Sequence, residues 1–106
     1  MFTVVREYRM TAGSIDDLMH TVDVGIADVF ADQEGFVGYE VLDAGNGRIV
    51  SITTFEDRDG AENSMALAAE FVREELGEFG VVRTNAMTGE VMVSRAGSRM
   101  LEPVHH

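Results

Sequence analysis

Two tyrosines and two arginines are the side chains of this sequence best suited to chemistry. Tyr8 and Tyr39 each carry a hydroxyl next to an apolar run, where it could orient a phenolic or quinone-type ligand by hydrogen bonding. The competing reading is a core tyrosine whose hydroxyl reaches the surface. Arg6 and Arg83 lie in strand-forming stretches. Either could meet an anionic group on a ligand, or pair across a sheet with Glu7, Glu40 or Glu90, and the ion pair is the simpler expectation. Tyr39, Tyr8 and Arg83 are the candidate catalytic residues on this reading. Ser51 and Thr53 could line a pocket, but no base is placed to make Ser51 a nucleophile.

The remaining reactive residue types read as structure. His20, the one internal histidine, sits roughly 120° around a helix from the centre of its apolar stripe and is expected at the surface. His105 and His106 end the chain, and two adjacent imidazoles without a third ligand make no specific metal site. There is no cysteine. Asp16-Asp17 and Glu74-Glu75 describe helix caps and faces, not an acid–base dyad. Met10, Met19, Met65, Met87 and Met92 suit a malleable pocket, or fill gaps. Gly45 and Gly47 belong to a hairpin, not to a phosphate-binding turn between strand and helix. No cofactor and no metal are expected.

The 106 residues carry a formal charge of −11, and all eight basic residues are arginine. Such a surface repels phosphate backbones and anionic lipid, which disfavours nucleic-acid and membrane partners. A hydrophobic content of 45% argues for a packed core, and no apolar run approaches the ~20 residues of a membrane span. The start, MFTVVREYRM, lacks the features of a signal peptide, so a cytoplasmic location is expected.

The elements that must position the candidates centre on residues 35–55. Phe36 to Leu42 and Ile49 to Phe55 are strand-forming runs around Asp43-Ala44-Gly45-Asn46-Gly47, and Asn-Gly suits a type I′ hairpin. Residues 2–10 alternate, with Phe2, Val4, Arg6, Tyr8 and Met10 as the more apolar set facing the core. Ser14 starts a helix as one half of a capping box with Asp17. Ile15, Leu18, Met19, Val22, Ile26, Val29 and Phe30 form its stripe, and Gly35 ends it. A second helix is expected from about Asp59, capped with Glu62, burying Ala61, Met65, Ala68, Ala69, Val72 and Leu76. Residues 81–94 supply a last strand, with Glu90 to Val93 its surest part and a break expected around Asn85 to Thr88. Residues 1–95 thus read as a single domain and 96–106 as a polar tail.

The order βαββαβ implies an α+β, ferredoxin-like fold: a four-stranded antiparallel sheet with two helices on one face. Val5, Val37, Val41, Val50 and Ile52 cannot share a face with Phe2, Val4, Phe36, Ile49 and Phe55. Two helices cover only one face, so a homodimer through sheet faces is expected to cover the other.

Gly35-Phe36-Val37-Gly38-Tyr39-Glu40-Val41-Leu42 resembles the GF-x-x-Y-x-x-L segment of antibiotic biosynthesis monooxygenase-like proteins. Ile52 to Arg58, Gly60-Ala61-Glu62 and Ala68 to Glu74 also fit, and the resemblance spans residues 2–94. It implies a dimeric α+β barrel and chemistry without a protein-bound metal or flavin. Known relatives oxidise electron-rich aromatic or polyketide substrates with dioxygen, or degrade haem, in a pocket between helices and sheet. They often use a tryptophan, an asparagine or a helix histidine. This chain has no tryptophan, its Asn63 falls opposite the apolar stripe, and its second helix has no histidine. The expectation is a cofactor-independent monooxygenase-like protein, or an isomerase-like relative, acting on a small aromatic or polyketide-type molecule. The rivals are a non-catalytic dimeric ligand-binding or stress-associated protein and a plain assembly module.

Overall fold

A computed structural model of the chain describes residues 1–97; His105 and His106 lie outside the described residues, as does most of the expected tail. The elements run β1 (Phe2–Arg9), α1 (Ile15–Val24), α2 (Ile26–Ala31), β2 (Phe36–Gly45), β3 (Arg48–Phe55), α3 (Arg58–Glu75), a 3-10 turn (Gly77–Phe79) and β4 (Val82–Glu90). The four strands form one antiparallel sheet in the order β2-β3-β1-β4. This is the ferredoxin-like α+β fold, with the helices packed on one face and the core cluster between the two layers.

The hairpin forms because its turn residues accept left-handed backbone. Asn46 has φ 56° and Gly47 φ 77°, the conformation a type I′ turn requires. A side chain at Gly47 would also start 2.7 Å from the Met10 carbonyl, where the backbone of the two segments joins through Met10 N–H donating to the Gly47 carbonyl at 2.7 Å.

In β1, Val4 and Arg6 are buried, and Tyr8 and Met10 pack against the core cluster, as alternation predicts. β2 departs from simple alternation. Its register with β3 shifts between Phe36 and Gly38. This irregularity returns both Phe36 and Tyr39 to the helix side, although they are three positions apart and would alternate to opposite faces in a regular strand. Val41 follows Tyr39 inward, so it does not join the outer face as the sequence pattern implies. Val37, at the shift, is 46% exposed.

Ser14 caps α1 by accepting from the Asp17 N–H at 3.2 Å. The expected single helix over 14–34 is interrupted at Gly25, whose φ −111° and ψ −94° are not helical. A Cβ at that position would lie 2.5 Å from the Phe71 ring. Gly25 therefore lets α3 approach the joint between α1 and α2, and Leu18, Val22, Ile26 and Phe30 carry the buried stripe across it.

α3 begins earlier than its sequence suggests. Asp57, not Asp59, is the N-cap, and its carboxylate accepts from the Gly60 N–H at 2.8 Å. Asp57→Ala is expected to lower unfolding free energy by about 1 kcal/mol, measured by urea denaturation. An unchanged midpoint would show that the helix start does not depend on this cap.

β4 pairs with β1 without a break from Val82 to Glu90, with one register shift that leaves Thr84 between two partners. Glu90 to Val93, expected as the core of this strand, instead mark its end, because β4 stops at Glu90. Residues beyond Glu90 run past the end of β1, and the last link is Val91 N–H to the Met1 carbonyl.

On the far side of the sheet lie Val5, Val50 and Ile52, half-buried, with Leu42 and Met87 exposed. Thr3 and Thr54 bond each other there at 2.8 Å. No helix among the described residues is long and apolar enough to cross a membrane.

Candidate active site

Three rungs of the sheet lie beneath the helices, and their Arg6, Tyr8, Tyr39, Val41, Ile49 and Ser51 build the floor of a cleft. Tyr39 lies opposite Thr53, which lies opposite Val4; Val41 opposite Ser51, opposite Arg6; and Ile49 opposite Tyr8, opposite Arg83. Above them, Leu18, Met19, Val22, Ile26 and Phe30 from the first two helices and Ala68, Phe71 and Val72 from α3 form the roof. The enclosed part of the cleft is small, about 40 Å³, and it opens to solvent. That space houses waters, and a ring-sized ligand requires side chains of the wall to move aside.

The cleft is apolar except for four side chains: Arg6, Tyr8, Tyr39 and Ser51. Arg6 is 1% exposed. One terminal nitrogen donates to Thr53 Oγ1 at 3.0 Å, the other to Ser64 Oγ at 2.6 Å. Ser64 in turn donates to the Ala61 carbonyl at 2.6 Å. The guanidinium carbon stands 5.6 Å from the centroid of the Phe30 ring, within cation–π range. None of these partners is a carboxylate, so the ion pair expected from the sequence does not form. Burying a guanidinium this way is costly, because hydroxyls and a ring face replace only part of its hydration.

Its neighbours are phenols kept neutral. Burial pushes the Tyr39 hydroxyl well above the ordinary phenol range, and the nearby Tyr8 adds to the shift while Arg6 opposes it. Burial likewise raises Tyr8, against the pull of Arg6 and Arg83. Both are O–H groups at neutral pH, suited to donate a hydrogen bond and unsuited to act as bases. Burial also lowers the Arg6 value, with Tyr8 and Tyr39 opposing, and an arginine in this position remains a cation. Phe30 fixes the Tyr39 ring by an edge contact, with centroids 5.0 Å apart at 77°.

The structure thus brings Tyr8 and Tyr39 into one cleft and sets Arg83 apart. Arg83 is exposed on the edge strand, outside the cleft wall, and reaches Tyr8 only through its charge. Thr53 is fully buried as a partner of Arg6. His20 and Asn63 are exposed. No group of three or more acidic, histidine or cysteine side chains suited to a metal occurs among the described residues. Sequence reasoning undervalued Arg6 and missed Ser64. Both carried a readable signal, a polar residue standing within an apolar face: Arg6 between Val4 and Tyr8, and Ser64 one turn from Ala61 and Ala68.

Residues 1–70 match the model of the family described as antibiotic biosynthesis monooxygenase. No curated protein sequence matches the chain. Among solved structures, the fold is similar to that of SnoaB, a cofactor-independent oxygenase from Streptomyces nogalater, with a TM-score of 0.65 and 19% identity over 88% of this chain and 94% of that one. A putative antibiotic biosynthesis monooxygenase from Deinococcus radiodurans gives a TM-score of 0.70 at 15% identity, over 91% of this chain and 97% of the other. A dimeric ferredoxin-like protein from an uncultured marine organism gives 0.70 at 14% identity, over 91% and 98%.

Proposed function

Because this chain belongs to the antibiotic biosynthesis monooxygenase family, we propose that it is a cofactor-independent monooxygenase of the cytoplasm, working as a homodimer on a small aromatic or polyketide-type molecule. The observation that carries the reading is the buried, carboxylate-free guanidinium of Arg6 at the floor of an apolar cleft, flanked by two neutral phenols. Such a cation favours an anion next to it, and an electron-rich substrate anion can reduce dioxygen directly.

In the proposed reaction an acidic, activated CH₂ of the substrate gives a proton to water, the resulting carbanion passes electrons to O₂, and the peroxide anion takes a proton back from water. A C–O bond forms, and the hydroperoxide loses water to leave a carbonyl. One oxygen atom enters the product and the other leaves as water, and the substrate itself supplies the electrons. Arg6 favours the anion electrostatically, and Tyr39 and Tyr8 orient its oxygens. Arg83, on the rim, would draw acidic substrates toward a protein that is otherwise strongly negative. The apolar patch of Val5, Leu42, Val50, Ile52 and Met87 on the outer face of the sheet, together with the dimeric state described for a similar fold, supports pairing of two copies through that face.

Oxygen uptake with a panel of quinols and anthrone-type phenols tests the proposal. Turnover is expected, and Tyr39→Phe is expected to lower it by about tenfold, the worth of one well-placed hydrogen bond. No uptake across the panel together with no effect of Tyr39→Phe would remove the oxygenase reading. The second reading, a dimer that binds a small ligand without turning it over, is favoured by one observation: no side chain in the cleft wall is placed to take the substrate proton. That protein would show a ligand-dependent rise in melting temperature and no oxygen uptake.

A further inference from the structure

Two buried polar atoms are left without a partner among the described residues: Nε of Arg6 and Oγ of Ser51. They are not scattered. Arg6 and Ser51 face each other in register on neighbouring strands, both side chains line the same cleft, and the residues are 1% and 4% exposed. Leaving a buried donor unpaired is costly, so two at adjacent positions of one cavity mark a place where something else supplies the acceptor. We infer that Arg6 Nε and Ser51 Oγ together hold one ionised oxygen of the ligand, and that the ligand binds as a phenolate or enolate.

The chemistry selects this class over other acids. The two terminal nitrogens of Arg6 already turn to Thr53 and Ser64, so the end-on fork that grips a carboxylate with two parallel bonds is occupied. The atoms left with no partner at all are one nitrogen, Nε, and one hydroxyl, that of Ser51, a pair that suits a single oxygen. The rest of the wall is aliphatic and aromatic and contains no carboxylate, which fits a flat apolar body and leaves the charge to the one oxygen. Ser51 therefore acts as a ligand donor and not as a nucleophile. The inference rests on the cleft being the ligand site, as proposed above, and requires no turnover.

The ionisation of 4-nitrophenol, followed by its visible absorbance with the intact protein in excess, provides the test. Binding is expected to lower the apparent pKa of the probe, corresponding to about a tenfold or greater preference for the anion. Ser51→Ala is expected to weaken that preference, and the double variant Arg6→Met with Thr53→Val to abolish it; the second change removes the hydroxyl that Arg6 would leave unpaired. Circular dichroism checks that both variants fold, and nitrobenzene, which is uncharged, reports whether each variant keeps a cleft that takes an aromatic ring. A probe that binds without a change in ionisation, a shift that survives the double variant, or tighter binding of 4-nitrobenzoate than of 4-nitrophenolate would overturn the inference. Binding of nitrobenzene without 4-nitrophenolate would do the same while leaving the cleft as the ligand site. Binding of neither would remove both.

Discussion

Phe30→Ala is expected to lower the unfolding free energy by about 3–5 kcal/mol, a large fraction of the 5–15 kcal/mol typical of a domain. Phe30 is 1% exposed and stands at the junction of every layer around the cleft. Its ring meets Tyr39 edge-on at 5.0 Å and Phe55 at 6.4 Å, and its face is turned to the Arg6 guanidinium. Truncation therefore removes a large buried surface, two aromatic contacts worth about 0.5–1.5 kcal/mol each, and the one cation–π partner of a buried charge. The neighbouring Val29, 39% exposed on the same short helix, serves as the control: Val29→Ala is expected to cost less than about 1 kcal/mol. Urea denaturation of both variants decides the matter. Similar losses at the two positions would mean that Phe30 does not organise the core. Because Phe30 positions Tyr39, the same variant is also expected to impair any activity of the cleft in the fraction that remains folded.

Ile52→Glu is expected to convert a dimer into a monomer. Ile52 lies on the outer face at the middle of β3, between Val5 of β1 and Glu40 of β2. Leu42 at 47% and Met87 at 60% exposure extend the apolar surface to both sides, and a lone chain would present this patch to water. Pairing two such faces about a two-fold axis brings each central residue near its own copy. A carboxylate there would be desolvated and would face a like charge, which costs several kcal/mol. Sedimentation at micromolar concentration is expected to give twice the 11.6 kDa chain mass for wild type and the single-chain mass for the variant. A wild type that sediments as a monomer would remove the dimer from the proposed function.

The hairpin, the helix caps at Ser14 and the order of elements were legible in the sequence because each rests on local rules: φ-permissive turn residues, hydroxyl or carboxylate caps, and periods of two or 3.6 residues. What escaped was non-local. The register shift at Val37 changes which face Val41 occupies, and alternation cannot reveal where a strand slips by one residue. The break at Gly25 answers to the Phe71 ring, 46 positions away in the chain, so nothing within the helix announces it. The candidate site divides along the same line. Tyr8 was identifiable as a polar-tipped residue in an inward-facing strand position, whereas Tyr39 has the parity of Val37 and Val41 and is turned inward by the register shift. The partners of Arg6 were not, because Ser64 reaches it only through the packing of α3 on β1, and the acidic residues nearest in sequence turned out to point elsewhere. Arg83 does lie in a strand, but in the edge strand β4, where it is exposed.

The position of β1 in the sheet also governs how the chain assembles. This strand is made first and sits between β3 and β4. One of its edges can be closed once residue 55 is present, but the other waits for residues 82–90. Until then the growing chain carries a free strand edge, the kind of surface that invites pairing with another molecule. Arg6 waits as well: its partners Thr53 and Ser64 arrive 47 and 58 residues later. Closure of the sheet is therefore a late event that depends on long-range contacts, a topology that folds slowly compared with one built from neighbours.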